Sequence, residues 1–593
     1  MTATPPFAPG PPSSAPATSP FVSGQPPAGV PGSGPSLGVR IGLGLALLVP
    51  AIVALLWSYV IPSITTVVKS FQRDRMYLPP EAVGGSNYGR LSEIGFFGSI
   101  GFALLLSLVP LLLALVAAPL LALVADRAGR VARLVTRGLL VLPLACYAPT
   151  ALAVAWWTYR ADLDTWAENP RLTSVGMAAG MTFGLVVAVA ATLFLSVVRR
   201  RATAGGKTGL ALVAVGGTLG LGVVATGLQS FTLQNTIPGI RNEAATPVFV
   251  ALVNSLRRFD FGLGAAALTI LLGILAVLGL LAVGLLIATR TRIEFEGWRD
   301  RTAAPAAVKV DSAPATGPSV SVPSAAPLPG SASVPSVVAG RQQPHPVAIV
   351  LLVLGLVAFL TILGYTLFPW LRAFFGPTRP TPDQLTTGSL LVDTWIPPLI
   401  SAVVAVGIAV LGGFAIGGLR PLGRFSELLL LPFAPWFFVG TGPLSIAGFE
   451  RAREADQLNT FVGLIPPSWL SIPALVAFTL LFRGQHERWR AGQGLATSML
   501  LPALPMVGLA GLLTWLLGAQ DLLWPYLVST GEVMPAPLAL LATMRMGLLP
   551  GGSVSEVFGL VLPIPVVLLL LVVFGVLQVG YLDRLAIRAG RRE

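Results

Sequence analysis

The residues that could do chemistry are uncharged polar and aromatic side chains placed inside or beside long apolar segments. We select six residues as candidates for lining a solute pathway: Gln229, Asn254, Trp436, Gln520, Asp521 and Trp524. Aromatic faces beside amide and hydroxyl groups suit ligands that, like sugars, have apolar ring faces and polar edges. Tryptophan and tyrosine near span ends more often form an interfacial belt, and we assign Trp156, Trp157 and Tyr159 to that belt.

Catalytic and metal-binding constellations are missing from the sequence. The apolar segments contain no Ser-His-Asp set, no His-Glu-x-x-His motif and no paired carboxylates, so an intramembrane enzyme is only a third hypothesis behind two classes of transporter. His345 and His486 are far apart in the chain, and the single cysteine, Cys146, excludes an intrachain disulfide. Ionisable residues are nearly absent at mid-span, which argues against a mechanism coupled to protons or ions.

Two long apolar blocks, 40–287 and 346–579, must position the candidate residues. The chain is 54% hydrophobic and 11% charged, the composition of a polytopic membrane protein. A membrane span needs roughly 20 apolar residues, and each block contains six runs of that order. The predicted spans lie near 41–63, 98–125, 138–158, 176–198, 209–229, 262–288, 347–370, 394–418, 427–447, 462–482, 495–517 and 556–580. The sequence therefore predicts an all-α polytopic membrane protein with about twelve transmembrane helices in two six-helix halves.

Composition and charge divide the chain into four parts. Residues 1–37 form a Pro/Gly/Ser/Ala-rich tail that we expect to be disordered, and residues 302–345 form a low-complexity linker. The two predicted transmembrane domains are 38–301 and 346–593. Arginine in alternate loops predicts that the tail, the linker and both termini are cytoplasmic, in a multi-pass protein of the bacterial inner membrane. The net charge of +13 lies mainly in these loops, so we expect the lipid bilayer, and not nucleic acid, as a partner.

Five short segments follow one another in an order that matches a known family. In the first block these are Gly85-Ser86-Asn87-Tyr88, the run 137–143 (RGLLVLP) and 246–266, which contains RFDFGLGAA. In the second block they are 458–466 (LNTFVGLIP) and 519–525 (AQDLLWP). They resemble segments of the membrane-spanning subunits of bacterial ABC importers of the carbohydrate-uptake, maltose-type family. The resemblance implies two permease subunits fused in one chain, which move a sugar or related small polar solute by alternating access.

The resemblance also implies partners. Separate cytoplasmic ABC ATPase subunits would bind ATP, an extracytoplasmic solute-binding protein would deliver the solute, and this chain would bind no cofactor itself. The family contacts its ATPase through a loop patterned Glu-Ala-Ala-x3-Gly-x9-Ile-x-Leu-Pro, and the corresponding loops here, 199–209 and 483–494, are short and degenerate. The candidate coupling residues in these loops are Arg199, Arg200, Arg201, Lys207, Arg483, Glu487, Arg488 and Arg490.

Two alternatives to the importer stay open. Asp126-Arg127-Ala128-Gly129-Arg130 resembles the loop after the second span of major-facilitator secondary transporters, which also consist of two six-span halves. The degenerate coupling loops, in turn, fit a permease-derived protein that has lost its coupling to ATP. Neither alternative is an enzyme, and both keep the two-half architecture.

Overall fold

The protein is an all-α, multi-pass membrane protein. A computed structural model describes residues 37–75, 78–160, 169–198, 208–236, 244–295, 345–376, 378–379, 386–490, 494–529, 531, 533–546 and 554–590. Within these residues, nine helices are long and apolar enough to cross a membrane, or ten if one bent pair is counted as a span. Many of their leucine, valine and isoleucine side chains are exposed, which suits contact with hydrocarbon and not with water. The predicted tail and linker lie outside the described residues, except for Leu37 and His345.

The nine apolar helices occur throughout both blocks. They are α1 (Gly38–Ser70), α3 (Phe96–Arg127), α6 (Pro170–Val198), α7 (Thr208–Thr236), α9 (Phe261–Ala288), α10 (Pro346–Phe374), α11 (Thr387–Leu419), α14 (Ala496–Ala519) and α17 (Val557–Arg584). The bent pair and the shorter helices are α2 (Ser86–Arg90), α4 (Arg130–Ala145), α5 (Pro149–Tyr159), α8 (Pro247–Arg257), α12 (Ser445–Glu454), α13 (Ile472–Arg490), α15 (Leu523–Val528) and α16 (Ala536–Met546). A 3-10 helix, Gly423–Trp436, lies between α11 and α12.

Strands among the described residues are few and short. They are β1 (Gln72–Arg75), β2 (Leu78–Ala82), β3 (Arg292–Phe295), β4 (Thr378–Arg379), β5 (Val554–Ser555) and β6 (Leu585–Arg588). The β1–β2 and β3–β6 pairs are antiparallel, and the β4–β5 pair is parallel. In the β3–β6 pair, Ile293 lies opposite Ile587, so the segment after the last span of the first block pairs with the segment after the last span of the second block.

Nine of the twelve predicted spans are found as single apolar helices. The third, 138–158, is a bent pair: α4 and α5 meet at an angle of 77°. Pro149 begins α5, and a proline disfavours helical geometry in the residue before it, which accounts for the break. The helix α4 also begins earlier than expected, after Gly129, whose φ is 103°. The predicted basic loop after the second span is therefore helical from Arg130 onward, and Arg137 is fully buried in α4.

The predicted spans 427–447 and 462–482 do not form continuous apolar helices. The first is replaced by the 3-10 helix, turns and α12, and the second begins only at Ile472 with α13. Pro432 and Pro435 lie inside the 3-10 helix, where proline removes donors that an α-helix needs. In the second, Pro466 and Pro467 lie in the non-helical segment before Ile472, where proline again disfavours an α-helix.

Helices from the two sequence blocks pack on one another reciprocally. The first helix of the first block, α1, packs on α11, and the first helix of the second block, α10, packs on α3. The last helix α17 packs on α4, and the last helix of the first block, α9, packs on the 3-10 helix. In the same way α6 contacts β6, while α13 contacts β3. The buried core is therefore shared between the two blocks.

Two glycines permit the closest of these approaches. A methyl group at Gly484 of α13 would overlap the carbonyl oxygen of Ile293 in β3, and one at Gly279 of α9 would overlap the carbonyl oxygen of Ala434 in the 3-10 helix. Small residues at such crossings let helices in a membrane approach at backbone distance. These glycines thus bring the last helix of the first block and α13 into contact with their partners.

Candidate functional site

A cavity of ≈ 210 Å³ lies between α1 and elements of the second block. Its walls come from α1, α11, α12 and α14, together with the segments around 440 and 470 and Trp524 of α15. Six lining residues have polar side chains that suit solute binding: Ser58, Thr441, Arg451, Ser468, Ser471 and Thr514. Ligand pockets for drug-sized molecules are typically about 300–1,000 Å³, so this cavity suits a smaller solute.

A wide helical turn in α1 supplies one wall. Residues Leu56–Val60 form a π-helical turn, in which Ser58 and Tyr59 are both buried. The Tyr59 hydroxyl donates to the carbonyl oxygen of Leu470 at 2.8 Å, and the backbone N–H of Trp469 donates to Ser58 Oγ at 3.0 Å. Such π-turns recur at functional sites because they re-aim neighbouring side chains. Here the turn ties α1 to the segment that precedes α13.

Trp524 is a predicted pathway residue that does line the cavity. Its indole N–H donates to the carbonyl oxygen of Gly463 at 2.9 Å, and a methyl group at Gly448 would lie 3.0 Å from its ring. Asp521 accepts from the backbone N–H groups of Leu523 at 3.1 Å and Trp524 at 3.3 Å. The carboxylate therefore caps the start of α15 and sets the position of the indole.

Asp521 carries a perturbed carboxyl group. Burial raises the pKa of Asp521 above its ordinary value, and its hydrogen bonds from backbone N–H groups act in the opposite direction. Desolvation is the larger of the two effects, because a charge transferred from water to a protein interior loses hydration. The pathway role of Asp521 stays a prediction beside this capping role.

Gln229 and Trp436 do not line the cavity, but Gln229 contacts a residue that does. The Gln229 amide group donates to the carbonyl oxygen of Phe438 and accepts from the backbone N–H of Gly440, both at 2.7 Å. Gly440 itself lines the cavity. The Trp436 indole donates to Ser63 Oγ of α1 at 3.0 Å. Both side chains thus join the 436–440 segment to helices of the first block.

Asn254 and Gln520 do not line this cavity. The Asn254 amide donates to the carbonyl oxygen of Val250 at 2.8 Å and accepts from the Arg258 guanidinium at 3.3 Å. The Gln520 amide donates to the carbonyl oxygen of Val561 at 2.9 Å. Both residues are buried; the Asn254 contacts lie within α8 and its C-terminal end, whereas the Gln520 contact joins the end of α14 to the start of α17. Their predicted role in a solute pathway is not tested by this arrangement.

Arg451 in α12 is a site residue that the sequence did not single out. The predicted span 427–447 placed it in the loop beyond a helix end, among the charged residues of the segment Phe449–Glu454. The structure instead turns α12 toward α1, where Arg451 lines the cavity. The available signal was its position close to an apolar run, which is weak because basic residues commonly flank spans.

The candidate coupling residues divide into two groups. Arg199, Arg200, Arg201 and Lys207 lie outside the described residues. Arg483, Glu487, Arg488 and Arg490 were expected in a loop, but they belong to α13, which continues to Arg490. Only residues 491–493 then separate α13 from Gly494. The helix continues because the segment from Arg483 to Arg490 contains no proline, and its single glycine is needed for the contact with β3.

Arginines and carboxylates form a network at one end of the helix bundle, which we call the basic end. Its arginines are Arg133, Arg137, Arg292, Arg420, Arg483 and Arg588. Each of three carboxylates there lies between two of these arginines. Asp583 is 3.0 Å from Arg133 and 3.6 Å from Arg137; Glu427 is 3.2 Å from Arg420 and 3.0 Å from Arg483; Glu294 is 2.9 Å from Arg292 and 3.0 Å from Arg588.

Two of these three carboxylates join the two sequence blocks. Asp583, near the end of α17 in the second block, pairs with Arg133 and Arg137 of the first, and Glu294 of β3 pairs with Arg588 of β6. Arg137 also donates to the Gln578 amide oxygen at 3.3 Å, again across the blocks. Burial lowers the pKa of Arg483, while Glu427 acts in the opposite direction. Because opposite charges compensate the cost of desolvation, these pairs permit arginine to lie inside the bundle.

Metal ligation has no support in this part of the molecule. Among the described residues, no group of three or more His, Cys, Asp or Glu side chains is arranged to hold a metal ion. Comparison with known proteins adds no assignment: no family model, no curated protein and no solved structure matches the chain. The functional argument therefore depends on the residues and their geometry.

Proposed function

We propose that this chain is the membrane permease of an importer for a small polar solute, with two permease-like halves fused in one polypeptide. The observation that carries the proposal is the reciprocal packing of the two blocks. Equivalent helices exchange partners: α1 packs on α11 while α10 packs on α3, and α17 packs on α4 while α9 packs on the 3-10 helix. This is the arrangement expected of two similar units related by a pseudo-two-fold axis.

The same relation occurs at the basic end. The strands β3 and β6 each follow the last span of a block, and they pair with each other in antiparallel register. Two similar segments that meet antiparallel lie across a two-fold axis. Transporters built from such repeats place their solute site between the repeats and switch access by rocking one against the other. The cavity between α1 and the second block supports this interpretation.

The ATPase and the solute-binding protein enter the proposal through the resemblance of the five segments. ATP binding by separate cytoplasmic subunits would favour one orientation of the halves, and a solute-binding protein would deliver solute at the opposite face. A ligand changes such an equilibrium only by its difference in affinity for the two states. The ATPase would therefore have to bind at the basic end, where the two blocks contact each other. There α13 contacts β3, and Arg483 donates to the carbonyl oxygen of Thr291 at 3.3 Å.

One observation favours a second candidate, a permease-derived protein without ATP coupling. Because α13 extends to Arg490, only residues 491–493 lie between it and Gly494. A separate coupling helix of the family's kind needs more residues than this connection contains. The two candidates share the architecture and differ only in whether an ATPase binds at this end.

Co-purification separates these candidates. The full chain is purified with its partners from native membranes, and ATP hydrolysis by the complex is measured together with ATP-driven uptake into vesicles. We expect a bound ATPase whose activity falls at least severalfold with Arg488→Ala, while Arg73→Ala, at the exposed β1 strand, leaves it unchanged. Absence of any bound ATPase would refute active import and favour the uncoupled protein. Uptake that stops with a protonophore while ATP stays high would instead identify a secondary transporter.

A cross-link tests the fused-halves architecture separately. Cysteines replace Ile293 and Ile587, which are paired in the β3–β6 register, in a chain with Cys146→Ala and a protease site in the linker 302–345. Paired residues in an antiparallel ladder lie about 5 Å apart, within the range that a disulfide spans. After cleavage, the oxidised chain should migrate as one species. A control with cysteines at Ile293 and Leu585, about 8 Å apart by the rise per residue, should separate into two.

A further inference from the structure

The cavity wall contains one charged group among several hydroxyl groups. Of the described residues that line it, Arg451 alone is charged, whereas Ser58, Thr441, Ser471 and Thr514 offer hydroxyls. Trp524 adds an aromatic surface. The Arg451 side chain is half-buried, so its aliphatic part packs on protein while its charged end stays accessible from the cavity.

Interactions with α1 hold Arg451 at the wall. Its Nη1 donates to the carbonyl oxygen of Trp57 at 3.2 Å, and the guanidinium carbon lies 4.7 Å from the centre of the Trp57 ring. Such a cation–π contact, with a backbone acceptor, restrains the side chain but does not neutralise it. Nε and Nη2 make no hydrogen bond within the described part of the chain.

The carboxylate next to Arg451 is already engaged. Glu450 pairs with Lys69 of α1, with Oε1 and Nζ 2.6 Å apart. No ion pair of Arg451 occurs among the described residues, and burial lowers the pKa of its guanidinium without a carboxylate acting against this shift. Within the described part of the chain, the Arg451 guanidinium therefore keeps N–H donors that can bind an anion entering the cavity.

We propose that the cavity binds a small solute with one carboxylate and several hydroxyl groups, and that Arg451 anchors the carboxylate. The planar guanidinium matches a carboxylate through paired N–H donors. A single positive charge balances a monoanion, whereas a phosphate ester carries about −1.5 to −2 and would need further cations. The hydroxyls of Thr441, Ser471 and Thr514 suit a polyhydroxylated carbon chain. The solute class is thus a hydroxy acid of about monosaccharide size or smaller, and not a neutral sugar.

The inference deepens the proposed function, since it specifies the solute of the same permease, but its test does not require transport. Thr514→Cys is introduced into the full chain with Cys146→Ala, and labelling rates are measured with two thiosulfonate reagents. One reagent carries a sulfonate and the other a trimethylammonium group. Each labelling rate is divided by the rate at which the same reagent reacts with a free thiol in solution. A unit charge about 6 Å from a guanidinium in a water-filled space changes each local concentration roughly threefold, in opposite directions.

The expected result is a rate ratio, sulfonate over trimethylammonium, of about ten. It should fall to about one with Arg451→Gln and stay near ten with Arg451→Lys, which retains the charge. Arg453→Gln, on the exposed side of the same helix, is the matched control and should leave the ratio unchanged. An unaltered ratio in Arg451→Gln, or failure of both reagents to reach Thr514→Cys, would overturn the proposal.

Protection by solutes then tests the carboxylate. Glucuronate, gluconate and lactate are compared with glucose, sorbitol and propane-1,2-diol, in which a hydroxymethyl group replaces the carboxylate. At least one acid at millimolar concentration should slow labelling severalfold, its alcohol should not, and Arg451→Gln should abolish the difference. Equal protection by acid and alcohol, or none by any acid, refutes the solute class. Either failure leaves ATPase binding at the basic end untouched, so it is distinguishable from failure of the proposed function.

Discussion

Neutralising Asp583 should destabilise the protein far more than neutralising an exposed carboxylate. Asp583 lies 3.0 Å from Arg133 and 3.6 Å from Arg137, and the Arg137 side chain is 0% exposed. Asp583→Asn keeps the shape of the side chain but removes its negative charge. Arg133 retains Asp126 at 3.3 Å, whereas Arg137 keeps, among its contacts within the described residues, the hydrogen bonds to Gln578 and Ser196.

The structure sets the size of this effect. Removing one partner of a buried pair typically costs about 3–5 kcal/mol, since the remaining charge loses its compensation inside the protein. Because the remaining polar contacts moderate that loss, we expect the lower end, about 3 kcal/mol. This corresponds to roughly a hundredfold change in the unfolding equilibrium. Glu81→Gln is the matched control, because its partner Arg73 is 49% exposed and Glu81 is 69% exposed; it should cost less than about 1 kcal/mol.

The assay is reversible unfolding of the full chain by SDS in mixed micelles, followed by tryptophan fluorescence. A double variant, Asp583→Asn with Arg137→Gln, removes both the carboxylate and the charge that it leaves behind. Its destabilisation should be smaller than the sum of the two single effects, because the residues share one interaction. The reasoning is refuted if Asp583→Asn costs no more than Glu81→Gln, or if the two single effects simply add.

Three further predictions follow from individual contacts. Gly484→Ala should destabilise the protein by about 1–3 kcal/mol, because the new methyl group overlaps a carbonyl oxygen of β3; Gly407→Ala, where nothing lies within 4 Å, should be neutral or stabilising in the same SDS titration. Tyr59→Phe removes the donor to the carbonyl of Leu470 and should cost about 1–2 kcal/mol, whereas an unchanged midpoint would mean that this bond does not hold α1. Burial raises the pKa of Asp521 above 3.8, so the folded chain binds this proton more tightly than the unfolded chain, and stability should fall as pH rises from 3.8 through the raised value. Unfolding midpoints of both proteins are compared from acid to neutral pH. Asp521→Asn should remove this part of the decrease in stability with rising pH, and an identical dependence of the midpoint on pH in both proteins would contradict the prediction.

Hydropathy was sufficient to predict most of the helices. A long apolar segment has to satisfy its backbone hydrogen bonds internally, so an apolar run such as that of α9 or α17 has no alternative to a helix in a membrane. The prediction was wrong at 427–447 and 462–482, where prolines interrupt the apolar pattern: Pro432 and Pro435 in the first, and Pro466 and Pro467 in the second. Hydropathy averaged over a window does not register such local breaks.

The candidate site was only partly predictable. Trp524 was selected from its sequence context and does line the cavity. Asn254 and Gln520, selected on similar grounds, do not: Asn254 bonds within its own helix, and Gln520 bonds to the carbonyl oxygen of Val561. Arg451 was overlooked, because its role depends on the turn that directs α12 back to α1. A polar residue near a span end has the same local sequence whether it faces lipid headgroups, another helix or a cavity.

The sequence by itself determined that this chain is a helical membrane protein, because each apolar run carries that information locally. Only the tertiary structure decided which helices exchange partners, and which charges meet. Arg137 has the sequence surroundings of an exposed loop residue, yet it is buried against Asp583 from the far end of the chain. The reason is physical: burial of a charge is affordable only where its counter-charge arrives, and that depends on long-range packing.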